Sequence, residues 1–274
     1  MKYAASLLMG VFVLAGSVAF GYAQTDAPCV HPREDQVNVV VASTVVQGSN
    51  GFTYSYRVQN LADAPQGLFQ VATAATNSGG IVTQTTPPNW QAFGQIGDSG
   101  YYMWSLLDPT QSVPPGGSGG GFGVVSADLP SIVGFLAWNF TPPMVFARGE
   151  ARPCAGSSIL ENSFKGSAVG PKAPPSNDPI QLVNYLISLV HDSRRLNWIK
   201  RDGVQQSLVG KLITAKRKLE AGDVATAKSN LTAFVQEVEA TSCDDFSCHG
   251  NLPATSEAYA LLKFNAEYLI ARLP

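Results

Sequence analysis

The chain has 274 residues, 18 basic and 20 acidic side chains, and a formal net charge of −2. Its net charge favours no class of partner, so the local distribution of charge carries more information. The length suits two modest domains, neither of which needs a disulfide to make up for a missing core.

Met1 and Lys2 are followed by the run "YAASLLMGVFVLAGSVAFGYA", apolar or small throughout, before the chain turns polar at "QTDAP". One positive charge, an apolar core and small residues at Gly21 and Ala23 predict a signal peptide over residues 1–23, cleaved near Ala23. A membrane helix is the competing reading, but the run is barely long enough to span a bilayer. Ser17 stands where a lipoprotein box would need cysteine, which argues against a lipid anchor. The expectation is a secreted or periplasmic protein with no membrane span after cleavage and no nucleic-acid partner.

Residues 24–170 read as a β domain. The segments "QVNVVVASTVV", "FTYSYRVQNL", "GLFQVATAAT", "YYMWSLL", "GFGVVSA" and "IVGFLAWNF" are rich in Val, Phe, Tyr, Trp and Thr and mostly alternate in character. In the second of these, Phe52, Tyr54, Tyr56 and Val58 share one face and Thr53, Ser55 and Arg57 the other, the pattern of a strand buried on one side. Turn clusters separate the strands without helical crossovers, which predicts an antiparallel immunoglobulin-like β-sandwich. The segment after Cys154 has room for an edge strand, and residues 171–178, rich in proline, read as a linker.

From Asp178 the hydrophobic period changes to 3.6, and residues 179–274 read as a small antiparallel four-helix bundle. Asp178 and Pro179 provide a cap and first-turn proline for "IQLVNYLISLV". Val204, Leu208, Leu212, Ala215 and Leu219 form the next stripe, stopped by Gly222. Asp223 caps a third helix striped by Val224, Ala227, Leu231, Phe234 and Val238, and a fourth follows Pro253. The whole is thus expected to be multi-domain, all-β followed by all-α.

The stretch from Ser207 to Ala215 ("SLVGKLITA"), the turn Gly222–Asp223 and the helix from Ala227 to Val238 resemble the FIMAH-type helical module at the C-termini of exported bacterial proteins. "AYALLKFNAEYLIARL" is similar to its closing helix, whereas "TSCDDFSCHGNLP" departs from its usual Gly-Lys connection. The resemblance covers the last third of the chain. It implies an accessory or interaction module of the bacterial envelope or exterior, with no catalytic residue to carry over.

Export would place the four cysteines in an oxidising compartment. Three pairings are open, and position favours Cys29 with Cys154 and Cys243 with Cys248. Cys243, Cys248 and His249 also match the bare pattern of a rarer haem attachment, with distant His191 as a second ligand. A local disulfide is the preferred reading. Zinc would have three of its ligands in Cys243, Cys248 and His249 at best, with Asp244 or Asp245 to complete the set. Disulfide formation is the simpler fate on export, so no cofactor and no metal are expected. The run "GGSGGGFG" lacks the third glycine of a dinucleotide loop and reads as a turn.

No "HExxH" motif is present and no catalytic constellation is evident, so no catalytic residue is assigned and a non-enzymatic protein is expected. Partners are then a protein, a surface polymer or a glycan. Trp90, Tyr101 and Trp104 are the candidate ligand-binding aromatics, core filling being the competing role for such side chains. Arg194, Arg195, Lys200, Arg201, Lys216, Arg217 and Lys218 make up a candidate anion-binding patch. The acidic stretch that follows offers an internal counterpart for that charge.

Overall fold

The computed structural model describes residues 36–75, 81–95, 100–139, 163–246 and 252–274. The expected signal peptide, Cys29, Cys154, Cys248 and His249 lie outside the described residues.

In chain order the strands are β1 (Val39–Gly48), β2 (Gly51–Asn60), β3 (Gln70–Ala74), β4 (Ile81–Thr85), β5 (Trp90–Gln95), β6 (Tyr101–Leu106), β7 (Ser118–Ser126), β8 (Leu129–Trp138) and β9 (Phe164–Lys172). The helices are α1 (Pro179–Arg195), α2 (Asp202–Glu220), α3 (Val224–Thr241) and α4 (Ser256–Ile270). All strand pairings are antiparallel, in one sheet of order β1-β2-β7-β4 and another of order β5-β6-β3-β8-β9. The fold is therefore mixed β and α.

The alternation read in β2 holds: Phe52, Tyr54, Tyr56 and Val58 are buried, while Thr53, Ser55 and Arg57 are not. Aromatic side chains carry the contact between the sheets. Trp104 of β6 lies 6.2 Å from Tyr56 and 5.9 Å from Phe122, ring centre to ring centre, and Trp90 of β5 meets Phe122 edge-on at 4.7 Å. Such tilted pairs add to the apolar burial itself.

Two strands, β4 and β5, were not read from the sequence, and β9 fills the room left for an edge strand after Cys154. β4 and β5 are short and carry register shifts at Ile81/Thr83 and Ala92/Gly94. β9 contains Gly166, Gly170 and Pro171 and runs through Lys172, into the start of the stretch read as a linker. Its glycine is needed where it stands, since a Cβ on Gly170 would come within 2.6 Å of Val133 Cγ2.

The helices begin and end for the reasons read in sequence. Asp178 accepts from Gln181 N at 2.9 Å and Asp223 from Thr226 N at 3.2 Å, two side-chain N-caps. Gly222 takes a φ of 75° after α2, the left-handed turn that favours glycine.

The helices do not sit apart from the sheets. A single buried cluster runs from Tyr56, Trp104 and Phe122 to Leu186, Leu212, Phe234 and Leu261. Its seam is built by α4 against β1, β8 and β9. Phe264 packs on Phe52 at 5.3 Å, Asn265 Nδ2 donates to Pro130 O at 2.8 Å, and the hydroxyls of Tyr185 and Ser131 are 2.8 Å apart. At its centre Ser43 N–H donates to Glu257 Oε1 at 2.6 Å, and Ser256 Oγ donates to Ser43 O at 2.9 Å. Ser43 Oγ in turn accepts from Val169 N at 3.2 Å. No helix among the described residues is long and apolar enough to cross a membrane.

Candidate functional site

The aromatics singled out in the sequence separate into different environments. Trp104 is 1% exposed, and its indole N–H donates to Thr85 O at 2.9 Å, so it is a core residue with no face for a ligand. Trp90 is half-buried against Phe122. Tyr101 lies on the opposite face of β6 from Trp104, packed on Ala72, Leu136 and Trp138. There its hydroxyl overhangs Gly134, 2.4 Å from where a Cβ would be. A shallow trough of about 320 Å³ is floored by Gly134 and Gly166 and flanked by Tyr101 and Lys165. The three aromatics therefore do not form a common platform.

Most of the candidate anion patch is neutralised within the protein. Arg194 pairs with Asp202 at 2.7 Å, Arg195 with Asp192 at 3.1 Å, Lys216 with Glu220 at 3.9 Å and Lys218 with Asp223 at 3.2 Å. Lys211 pairs across to Glu237 on α3 at 2.5 Å. Exposed Lys200, Arg201 and Arg217 have no ion-pair partner among the described residues. Arg201 precedes α2 and Arg217 stands in its last turn, so they lie on the order of 20 Å apart along the helix and do not converge.

The haem alternative falls largely on residues outside those described. Within them, His191 Nδ1 is 2.9 Å from Gln205 Nε2, a contact between α1 and α2. Cys243 does not carry a free thiol. Its expected partner Cys248 is not among the described residues, so the pairing stays an expectation. Phe246 of the same loop lies 5.1 Å under the Arg57 guanidinium, which ties the loop to the outward side of β2.

A site missed in the sequence lies at one end of the seam. The end of β1, the β7–β8 turn and the last turns of α4 enclose a groove of about 530 Å³. Phe52, Leu129 and Phe264 give it an apolar floor; Gln47, Asp128, Glu267 and Arg272 give it polar walls. Tyr268 lines it too, with the Arg272 guanidinium stacked 3.4 Å from its ring centre. Arg272 Nη1 also donates to Tyr268 O at 3.4 Å, and such a stack holds an arginine in place while its remaining N–H groups stay open to other partners. The lining comes mainly from three stretches far apart in sequence, Gln47 and Phe52, residues 127–129, and the end of α4 with the residues just after it, from Phe264 to Arg272. No spacing rule would have brought those stretches together.

A buried phenol braces the site from behind. Tyr54 donates its hydroxyl to Asp128 O at 2.6 Å. Burial, and then the neighbouring Tyr56, Asp128 and Tyr185, push its pKa far above the ordinary phenol range, so it stays a donor. Burial likewise raises Tyr185, although its bond with Ser131 works the other way. On the outer side of α4, burial disfavours the Lys263 ammonium, but hydrogen bonds to Glu239 and Tyr259 and the nearby Glu267 raise its pKa on balance. Lys263 is thus held as a cation, 3.6 Å from Glu267.

No family model matches this chain, and no curated protein does. The functional reading rests on geometry and chemistry alone.

Proposed function

We propose that the protein is an exported, non-catalytic binding protein of the bacterial envelope or exterior, with its ligand seated in the groove between the end of the first sheet and α4. In this reading an immunoglobulin-like sandwich and a FIMAH-like four-helix bundle combine to make one site that neither would make alone. The observation that carries it is the groove itself: it is half-open, apolar at its floor and polar at its walls, and contributed by both parts of the chain. Its volume lies within the roughly 300–1,000 Å³ of small-molecule sites. The leader-like N-terminus supports the exported setting.

The test is native mass spectrometry of full-length protein recovered from its own export compartment, compared with Ala271→Trp. Ala271 is exposed at the groove wall, so an indole there fills the groove without entering the core. Bound mass present in the wild type and lost in Ala271→Trp is expected; bound mass retained in the variant would refute the groove. A screen of glycan and ester hydrolysis tests the non-catalytic claim, which turnover abolished by Glu267→Gln would overturn.

A second reading places a glycan on the outward side of the other sheet, at the glycine-floored trough beside Tyr101 and Lys165. Binding lost in Tyr101→Ala and kept in Ala271→Trp would favour it.

A further inference from the structure

The groove's lining also speaks to the class of ligand, and this inference rests on the groove being the binding site. We infer that it takes a neutral saccharide of one or two rings. Its walls offer hydrogen-bond donors and acceptors of planar geometry side by side: the Gln47 amide, the Glu267 carboxylate and the Arg272 guanidinium. Charge of both signs is present: the lining carries the carboxylates of Asp128 and Glu267 and the Arg272 guanidinium, and Lys263, shared with Glu239, lies 3.6 Å from Glu267.

Each other small-molecule class meets an obstacle there. A purely apolar ligand would strip water from Gln47, Glu267 and Arg272 and return no hydrogen bond, which costs free energy for every group so covered. An anion attracted by Arg272 would meet Glu267 and Asp128, and a cation attracted by those carboxylates would meet Arg272. A sugar ring carries no charge and has hydroxyls that both donate and accept, so it satisfies the walls in either sense. Its C–H faces suit a floor of Phe52 and Leu129 and the flank of Tyr268. A half-open groove fits a ring entering with one edge in water.

The experiment uses the full-length protein, isotope-labelled, and follows backbone amide shifts with three kinds of probe: neutral disaccharides (maltose, cellobiose and lactose), benzoate and benzylammonium. Saturable shifts at residues 127–129 and 267–272 with a disaccharide are expected. Gln47→Ala and Arg272→Ala, both exposed positions, should each weaken that binding by about tenfold or more. If benzoate or benzylammonium shifts those amides and no disaccharide does, the groove stands as a site and the saccharide assignment is overturned. If disaccharides bind but shift only residues elsewhere, or bind both variants undiminished, the assignment of sugar to this groove is overturned. If no probe of any class shifts the groove amides, both the saccharide and the groove reading fall.

Discussion

Replacing Glu257 with alanine tests how firmly the helices are joined to the sheets. The Glu257 side chain is buried, 4% exposed, and its Oε1 accepts from Ser43 N–H at 2.6 Å. Glu257→Ala leaves that N–H in a site where Ser43 is itself fully buried. A hydrogen bond to a charged group contributes about 1.5–3 kcal/mol, and an orphaned buried donor costs about 1–3 kcal/mol, two overlapping descriptions of one loss. Relief of a buried carboxylate offsets part of it, so a net loss of about 2 kcal/mol is expected. Glu257→Gln keeps an acceptor at the same reach and should cost about 1 kcal/mol or less. Urea unfolding would be followed by tryptophan fluorescence, in which three of the four tryptophans (Trp90, Trp104 and Trp138) report the sheets and Trp198 the helical part, and by far-ultraviolet ellipticity, dominated by the helices. Because the buried cluster is continuous across the seam, both signals should move together to lower urea in the alanine variant. A loss under about 0.5 kcal/mol, or helices and sheets unfolding separately in the wild-type protein, would refute the reasoning.

Asn265→Ala removes the donor to Pro130 O and should cost about 1–2 kcal/mol by chemical denaturation, again in both signals. Trp104→Ala empties a core position and should cost about 3–5 kcal/mol. Half-buried Trp90→Ala should cost clearly less, which a thermal melt of the two variants would rank. Asp223 has its pKa lowered by the Thr226 side chain and backbone and by Lys218. The stability it contributes is therefore fully present above the ordinary aspartate pKa of about 3.9 and is lost as pH falls through its lower folded value. In Asp223→Asn the unfolding midpoint measured from neutral pH downward should fall less steeply over that acid window; an unchanged slope would count against the cap.

What the sequence made legible was local. Period-two alternation placed β2 with the correct residues inward, and the Asp178 and Asp223 caps and Gly222 bounded the helices, because each depends on neighbours a few residues away. β9 was foreseen only as room for an edge strand, with its end read as linker, since its glycines and proline serve there to let the strand approach Val133 closely. The groove and seam were out of reach for a different reason. Glu257 in the first turn of a helix reads as a solvated carboxylate favoured by the helix dipole. Its burial depends on a strand 214 residues earlier in the chain. For the basic run, the internal counterpart read in the acidic stretch is present in part, but which pairs meet, on neighbouring turns and against α3, charge counting along the chain cannot show.

The Ser43 junction also bears on what happens if the helical part is lost. β1 and β9 are terminal strands of their sheets. Their outward N–H and C=O groups at Ser43 and Val169 are occupied by side chains instead of by another strand. Unoccupied, a terminal strand as rich in valine as "VVVASTVV" is a template for pairing with other chains. α4 therefore occupies edge groups of β1 that another strand would otherwise be able to pair with. Loss of the helices by cleavage in the proline-rich stretch before α1 would uncover those groups, so the helices that help form the groove also cover an edge open to strand pairing.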